Sequence, residues 1–193
     1  MNSKIIDNAI TYISELFKDN SDGHDVGHTL RVFHLSKQIA EHYEEIDATL
    51  ISLTALLHDV DDHKLFDTKN NENARKFLLS QDVDDVTIDT ICNIINSISY
   101  SKNKGQKPTS IEAQIVQDAD RLDAIGAIGI ARTFSYGGNN HRSLKQSIEH
   151  FYDKLLLLKD MMNTDIAKQI AEERHKYLEE YLKELNKELG ECE

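Results

Sequence analysis

A chain of 193 residues with 34 acidic and 22 basic side chains carries a formal charge of −12, which repels nucleic-acid backbones and anionic membrane surfaces and excludes both as expected partners. That length suits one domain with a sizeable apolar core. Cys92 and Cys192 lie far apart and outside any CxxC pair, so neither a zinc knuckle nor a disulfide framework is signalled.

The stretch MNSKIIDNAITYISELFKD interleaves charge with Ile6, Ile10, Ile13 and Phe17, which step by three and four along one helix face and form no signal-peptide core. No run approaches transmembrane length, so the expected setting is the cytoplasm, with no membrane partner. HDVGHTLRV, residues 24 to 32, places His24 and His28 four apart at a helix start. Asp47 stands as a cap before ATLISLTALLHDV, where Leu50, Leu53 and Leu57 share a face and the helix ends at His58 and Asp59. Ile91, Ile94, Ile95 and Ile98 mark another helix, with Cys92 read as core filler. Pro108, the only proline, closes the loop SKNKGQKPTS, and Thr109 stands three residues before Glu112 as a predicted capping box.

Gly126 and Gly129 read as close packing, whereas SYGGNN at 135 to 140 predicts a break in which Gly137 and Gly138 let the chain bend. Ile148, Phe151, Tyr152, Leu155 and Met162 resume helical spacing. Ile166, Ile170, Leu178, Leu182, Leu185 and Leu189 extend it along a final charged helix, with Gly190 as its C-terminal cap. No alternating strand pattern stands out. The expected fold is an all-α bundle of one domain over residues 1–193, its chemistry within 21–138 and the helices of 143–189 packed on that core. The final helix is amphipathic enough to dock on its own core or on another subunit, which leaves a homodimer open.

Six of the nine histidines fall between residues 24 and 63, a crowding that core packing does not predict. Imidazole and carboxylate together suit one divalent transition ion, with Mn²⁺ the first choice and Fe²⁺, Ni²⁺, Co²⁺ or Zn²⁺ alternatives, and leave positions open for water. His24 competes with His28, and Asp118 with Asp120, for the ligand positions. Such an ion, with a few local cations, reverses the field in a cleft and admits a small phosphorylated substrate despite the overall charge.

HxxRV at 28 to 32, LLHD at 56 to 59 and DADRLDAIGAIGIAR at 118 to 132 together resemble the HD-domain superfamily of metal-dependent phosphohydrolases, and most of all the small bacterial HD hydrolases of the YedJ and YpgQ kind. Carried over position by position, the resemblance implies metal ligation by His28, His58, Asp59 and Asp120. His24 is left as a phosphate contact or a supporting partner, and Asp118 and Asp123 equally as orienting or capping groups or as substrate contacts. Two-metal relatives add histidines after the His-Asp pair, whereas residues 64 to 140 contain none, which implies a mononuclear site. Asp62 falls where related pyrophosphohydrolases carry an acid that positions or deprotonates the attacking water. His63 stands where those enzymes place a second acid, which counts against a guanosine-tetraphosphate hydrolase.

The cations expected to meet phosphate are Arg31, Lys64, Arg121 and Arg132, with a possible contribution from Lys102, Lys104 and Lys107. Arg121 could equally pair with the carboxylates around it. The resemblance favours cleavage of nucleoside triphosphates to monophosphate and pyrophosphate. Alternatives are a nucleoside monophosphate phosphatase, a non-catalytic nucleotide sensor, and a structural bundle whose His and Asp residues are merely satisfied polar groups.

Overall fold

The computed structural model describes residues 2–20, 25–98 and 106–190. Among these residues every regular element is a helix, and the chain folds as two compact units, Met1–Ala119 and Asp120–Glu193. No helix among them is long and apolar enough to cross a membrane.

The first unit holds α1 (Asn2–Leu16), α2 (Val26–Ala40), α3 (Ala48–Leu57), α4 (Glu72–Ser80), α5 (Asp85–Ile98) and most of α6 (Ile111–Asp123). Its centre is α3, where Ile51 to Leu57 are all buried. A helix apolar on every side has to be enclosed, and α1, α2 and α5 pack against it while α4 packs on α5. Ile51, Leu56 and Leu57 lose essentially all exposure, each contributing about 1.5–3 kcal/mol of transfer free energy. The Asp47 carboxylate starts the helix as expected, accepting the N–H groups of Thr49 and Leu50, both at 2.9 Å. Cys92 is buried on α5, and loss of solvent pushes its thiol pKa up.

The predicted capping box at Thr109 and Glu112 gives way to a single cap one residue on, since Ala113 has no side-chain acceptor to return the bond. Because α6 begins at Ile111, Ser110 is in place to cap it, and its Oγ accepts the Ala113 N–H at 3.2 Å.

The second unit begins on the last turn of α6 and continues through α7 (Gly126–Asn139), α8 (Leu144–Asp153), a 3₁₀ helix (Leu155–Met161) and α9 (Asp165–Glu188). Here the break predicted at 135–140 does not occur: Gly137 and Gly138 are helical, and α7 runs on to Asn139. Gly137 serves packing instead, since a Cβ there would lie 2.5 Å from Ser147 Oγ on α8. Gly129 is equally committed, its missing Cβ falling 2.3 Å from the Ala124 carbonyl oxygen. The capping box that does form joins Ser143 to Gln146 at the start of α8. Rings of Phe134, Phe151 and Tyr181 meet with centroids 5.8 to 6.3 Å apart, and Leu178 and Leu182 of α9 are buried. Gly190, at φ +76°, terminates α9 as its sequence position predicts.

Candidate metal centre

The His-Asp pair follows from how α3 ends. The last four carbonyls of a helix have no partner within it, and His58, the capping residue of α3, answers one of them: its Nδ1 lies 2.8 Å from the Ala55 oxygen. Against a carbonyl that nitrogen can only donate, so in the neutral ring the lone pair belongs to Nε2. The same hydrogen bond fixes the ring's direction, an arrangement common in metal-binding histidines.

His28 arrives from α2. The Asp25 carboxylate caps that helix by accepting the His28 N–H at 2.7 Å, which sets the imidazole in the first turn, where it is 1% exposed. His28 Nε2 and His58 Nε2 face each other at 3.3 Å, the rings nearly edge to face at 71°. Asp59 stands beside both, its Oδ2 3.4 Å from His28 Nε2 and its Oδ1 3.4 Å from His58 Nε2. Asp120 is carried by the last turn of α6.

The donor set fits a divalent transition ion. Ligands about 2.0–2.2 Å from a metal stand roughly 3–3.5 Å from each other in tetrahedral or octahedral geometry, the separation the two imidazole nitrogens and the Asp59 oxygens already have. Two imidazole nitrogens and a carboxylate, buried together, are the ligand types that borderline ions prefer.

The turn after Asp59 is tied down by residues that the motif reading passed over. Asp61 accepts the N–H groups of Asn73 and Ala74 at 2.9 and 3.0 Å, capping α4, whose own N-cap residue Asn71 makes no such bond. Asn73 Nδ2 returns a bond to the Val60 carbonyl at 2.7 Å. Twelve residues separate Asp61 from Asn73, so no local spacing rule signals the pair. Tyr12 lies close by; burial first, and then the Asp61 charge, hold its phenol above the usual pKa.

Asp62 lies in this turn with its side chain partly exposed; Oδ1 accepts the Lys64 N–H at 2.8 Å and stands 3.6 Å from His63 Nδ1. Lys64 is exposed. Arg31 lies over Gly27: its Nη1 and the Asp25 Oδ1 are 3.1 and 3.2 Å from where a Cβ at Gly27 would sit. Arg121 is buried and donates to the Met161 carbonyl. Arg132 donates to Asp123, at 2.7 Å to the carboxylate and 3.3 Å to the carbonyl. The face of Tyr136 is covered by the Arg142 guanidinium, 4.7 Å from the ring centre. His24, Lys102, Lys104 and Cys192 lie outside the described residues.

Comparison with known proteins places this geometry in a family. The HD domain matches residues 25–125. YpgQ of Bacillus subtilis is 39% identical over 188 residues, covering 93% of this chain and 91% of that one. The crystal structure of YpgQ in complex with ADP superposes with a TM-score of 0.83 at 37% identity, covering 97% of this chain and 96% of that one. An HD-superfamily hydrolase from Bacillus thuringiensis gives a TM-score of 0.78 at 36% identity over the whole of both chains. With the His-Asp turn, its facing histidine and the matched segment in agreement, the chain belongs to the HD-domain family of metal-dependent phosphohydrolases.

Proposed function

We propose that this protein is a cytoplasmic nucleoside triphosphate pyrophosphohydrolase that uses one divalent transition metal, Mn²⁺ in the first instance, held by His28, His58, Asp59 and Asp120. The observation that carries the reading is the pair of buried imidazole Nε2 atoms 3.3 Å apart beside the Asp59 carboxylate. Donation by its Nδ1 leaves the His58 Nε2 as an acceptor beside His28 and Asp59, a grouping of ligand atoms that a divalent cation would bridge favourably. The bound ADP of YpgQ supports a nucleotide as the ligand class, and the absence of histidine from residues 64 to 140 supports a single ion.

When bound, the ion supplies a Lewis acid for phosphoryl oxygen and lowers the pKa of a coordinated water towards about 7. The residues do the rest. Asp62, oriented through its Oδ1 by the Lys64 N–H, offers Oδ2 to accept the proton of the attacking water. Lys64 and Arg31 supply positive charge for phosphate oxygens on an otherwise acidic protein.

The test is to incubate Mn²⁺-loaded protein with nucleoside mono- and triphosphates and resolve the products by phosphorus NMR, with Asp59→Ala as control. Pyrophosphate and monophosphate, absent in the control, are expected. Orthophosphate alone would replace this reading by a monophosphate phosphatase, and intact nucleotides throughout would replace it by a sensor.

A further inference from the structure

The HD match ends at residue 125, yet the segment carrying Asp120 is also held by arginines beyond that point, Arg132 and Arg174. Asp120 to Asp123 form the last turn of α6, where backbone carbonyls need partners from outside the helix. The Arg121 carbonyl receives the Ala124 N–H at 3.1 Å. The Asp123 carbonyl receives Arg132. The Leu122 carbonyl receives the Ile125 N–H at 3.3 Å and, from α9, Nη1 of Arg174 at 2.5 Å.

Arg174 reaches Leu122 by passing over Gly126. A Cβ at that glycine would lie 3.0 Å from Arg174 Cγ, 3.2 Å from its Cβ and 3.3 Å from its Cδ, and the φ of +75° there also favours glycine. The guanidinium is costly to place: burial lowers its pKa, an effect that the nearby Asp123 charge opposes. A half-buried cation spent on one backbone carbonyl at a helix C-terminus is favourable with the helix dipole, and it fixes that carbonyl more firmly than water would.

We propose that Arg174 is a positioning residue for Asp120: from α9 it locks the last turn of α6 and the turn into α7, and thereby the direction in which the Asp120 carboxylate is offered to the metal. The inference rests on the reading of Asp120 as a ligand. It assigns the long C-terminal helix, which lies outside the matched HD segment, a part in metal binding. Removal of groups that orient metal ligands typically weakens metal affinity by about 10–100-fold, and a loss in that range is expected here.

The experiment titrates Mn²⁺ into the chelator-stripped full chain and reads free Mn²⁺ by electron paramagnetic resonance, for wild type, Arg174→Met, Asp120→Asn and the double variant. Methionine keeps an apolar stem over Gly126 and removes the donor. Arg174→Met is expected to weaken binding about 10–100-fold in the wild-type background and to cost nothing further once Asp120 is Asn. An equal loss in both backgrounds would reveal a general structural role and overturn the inference, as would no loss in the wild-type background. If Asp120→Asn binds Mn²⁺ as tightly as wild type, the ligand reading itself has failed. Should Arg174→Met not fold, Arg174→Lys, which keeps charge and most of the stem, carries the same cycle with a smaller expected loss.

Discussion

The turn after α3 and the last turn of α6 both present an aspartate that the HD reading assigns to the metal, and they are stabilised by different means. Residues 58 to 62 are held without any arginine: His58 on the Ala55 carbonyl, Asn73 on Val60, and Asp61 capping α4, beside the apolar α3. Residues 120 to 123 are instead gripped by arginines: Arg121 on Met161, Arg132 on Asp123 and Arg174 on Leu122. A turn that leaves an enclosed helix inherits its position from apolar burial. At the end of α6 the buried Asp123 carboxylate is instead balanced by Arg132, and removing one partner of such a pair is costly.

The difference predicts unequal responses to mutation. Arg132→Ala leaves the Asp123 carboxylate, 2% exposed, without its 2.7 Å partner, and the expected destabilisation is about 3 kcal/mol. Denaturant unfolding measures it, and Asp123→Asn in the same chain should recover a large part. If the loss were within a few tenths of a kcal/mol, the arginine grip would not be what stabilises this segment. Whether Arg132 also meets substrate is judged separately by the KM of the same variant.

Asp61→Ala removes the acceptor for two N–H groups at the start of α4, and the loss of such a cap costs about 1–2 kcal/mol. The comparison is sharpened if phosphohydrolase activity falls by more than stability explains, because the turn bearing Asp59 and Asp62 would then have loosened locally. Unchanged unfolding in this variant would show that Asn73 and His58 suffice.

The smallest effect concerns pH. Tyr12 has a folded pKa raised by burial and by the Asp61 charge, so the neutral phenol is preferred in the folded chain. Its contribution is fully present below the ordinary tyrosine value of about 10 and is lost as pH rises through the raised folded value. Wild type should therefore lose stability relative to Tyr12→Phe as pH rises above about 10. Parallel pH profiles for the two chains would contradict it.

Much of this was legible from spacing. Helix-periodic apolar residues gave the all-α class, Asp47 and Gly190 were recognisable as caps, and His58-Asp59 read as the end of an apolar helix, because all of these depend on neighbours within one or two turns. Gly137 and Gly138 misled for the complementary reason. A glycine pair in isolation reads as a bend, but here the missing Cβ at Gly137 admits Ser147 from another helix, a requirement that no local pattern encodes. The cap at Ser110 in place of Thr109 turned on a one-residue difference in where α6 begins.

By itself, then, the sequence determined helix content, the order of the HxxRV, His-Asp and DADRLD motifs, and the ligand types available to a metal, since these follow from residue identity and short-range periodicity. Only the tertiary structure decided that His28 and His58 meet at 3.3 Å, that Asp61 serves a helix twelve residues on, and that Arg132 and Arg174 grip the end of α6. Those contacts join residues 9 to 52 positions apart, and such pairings exist only once packing has brought the helices together.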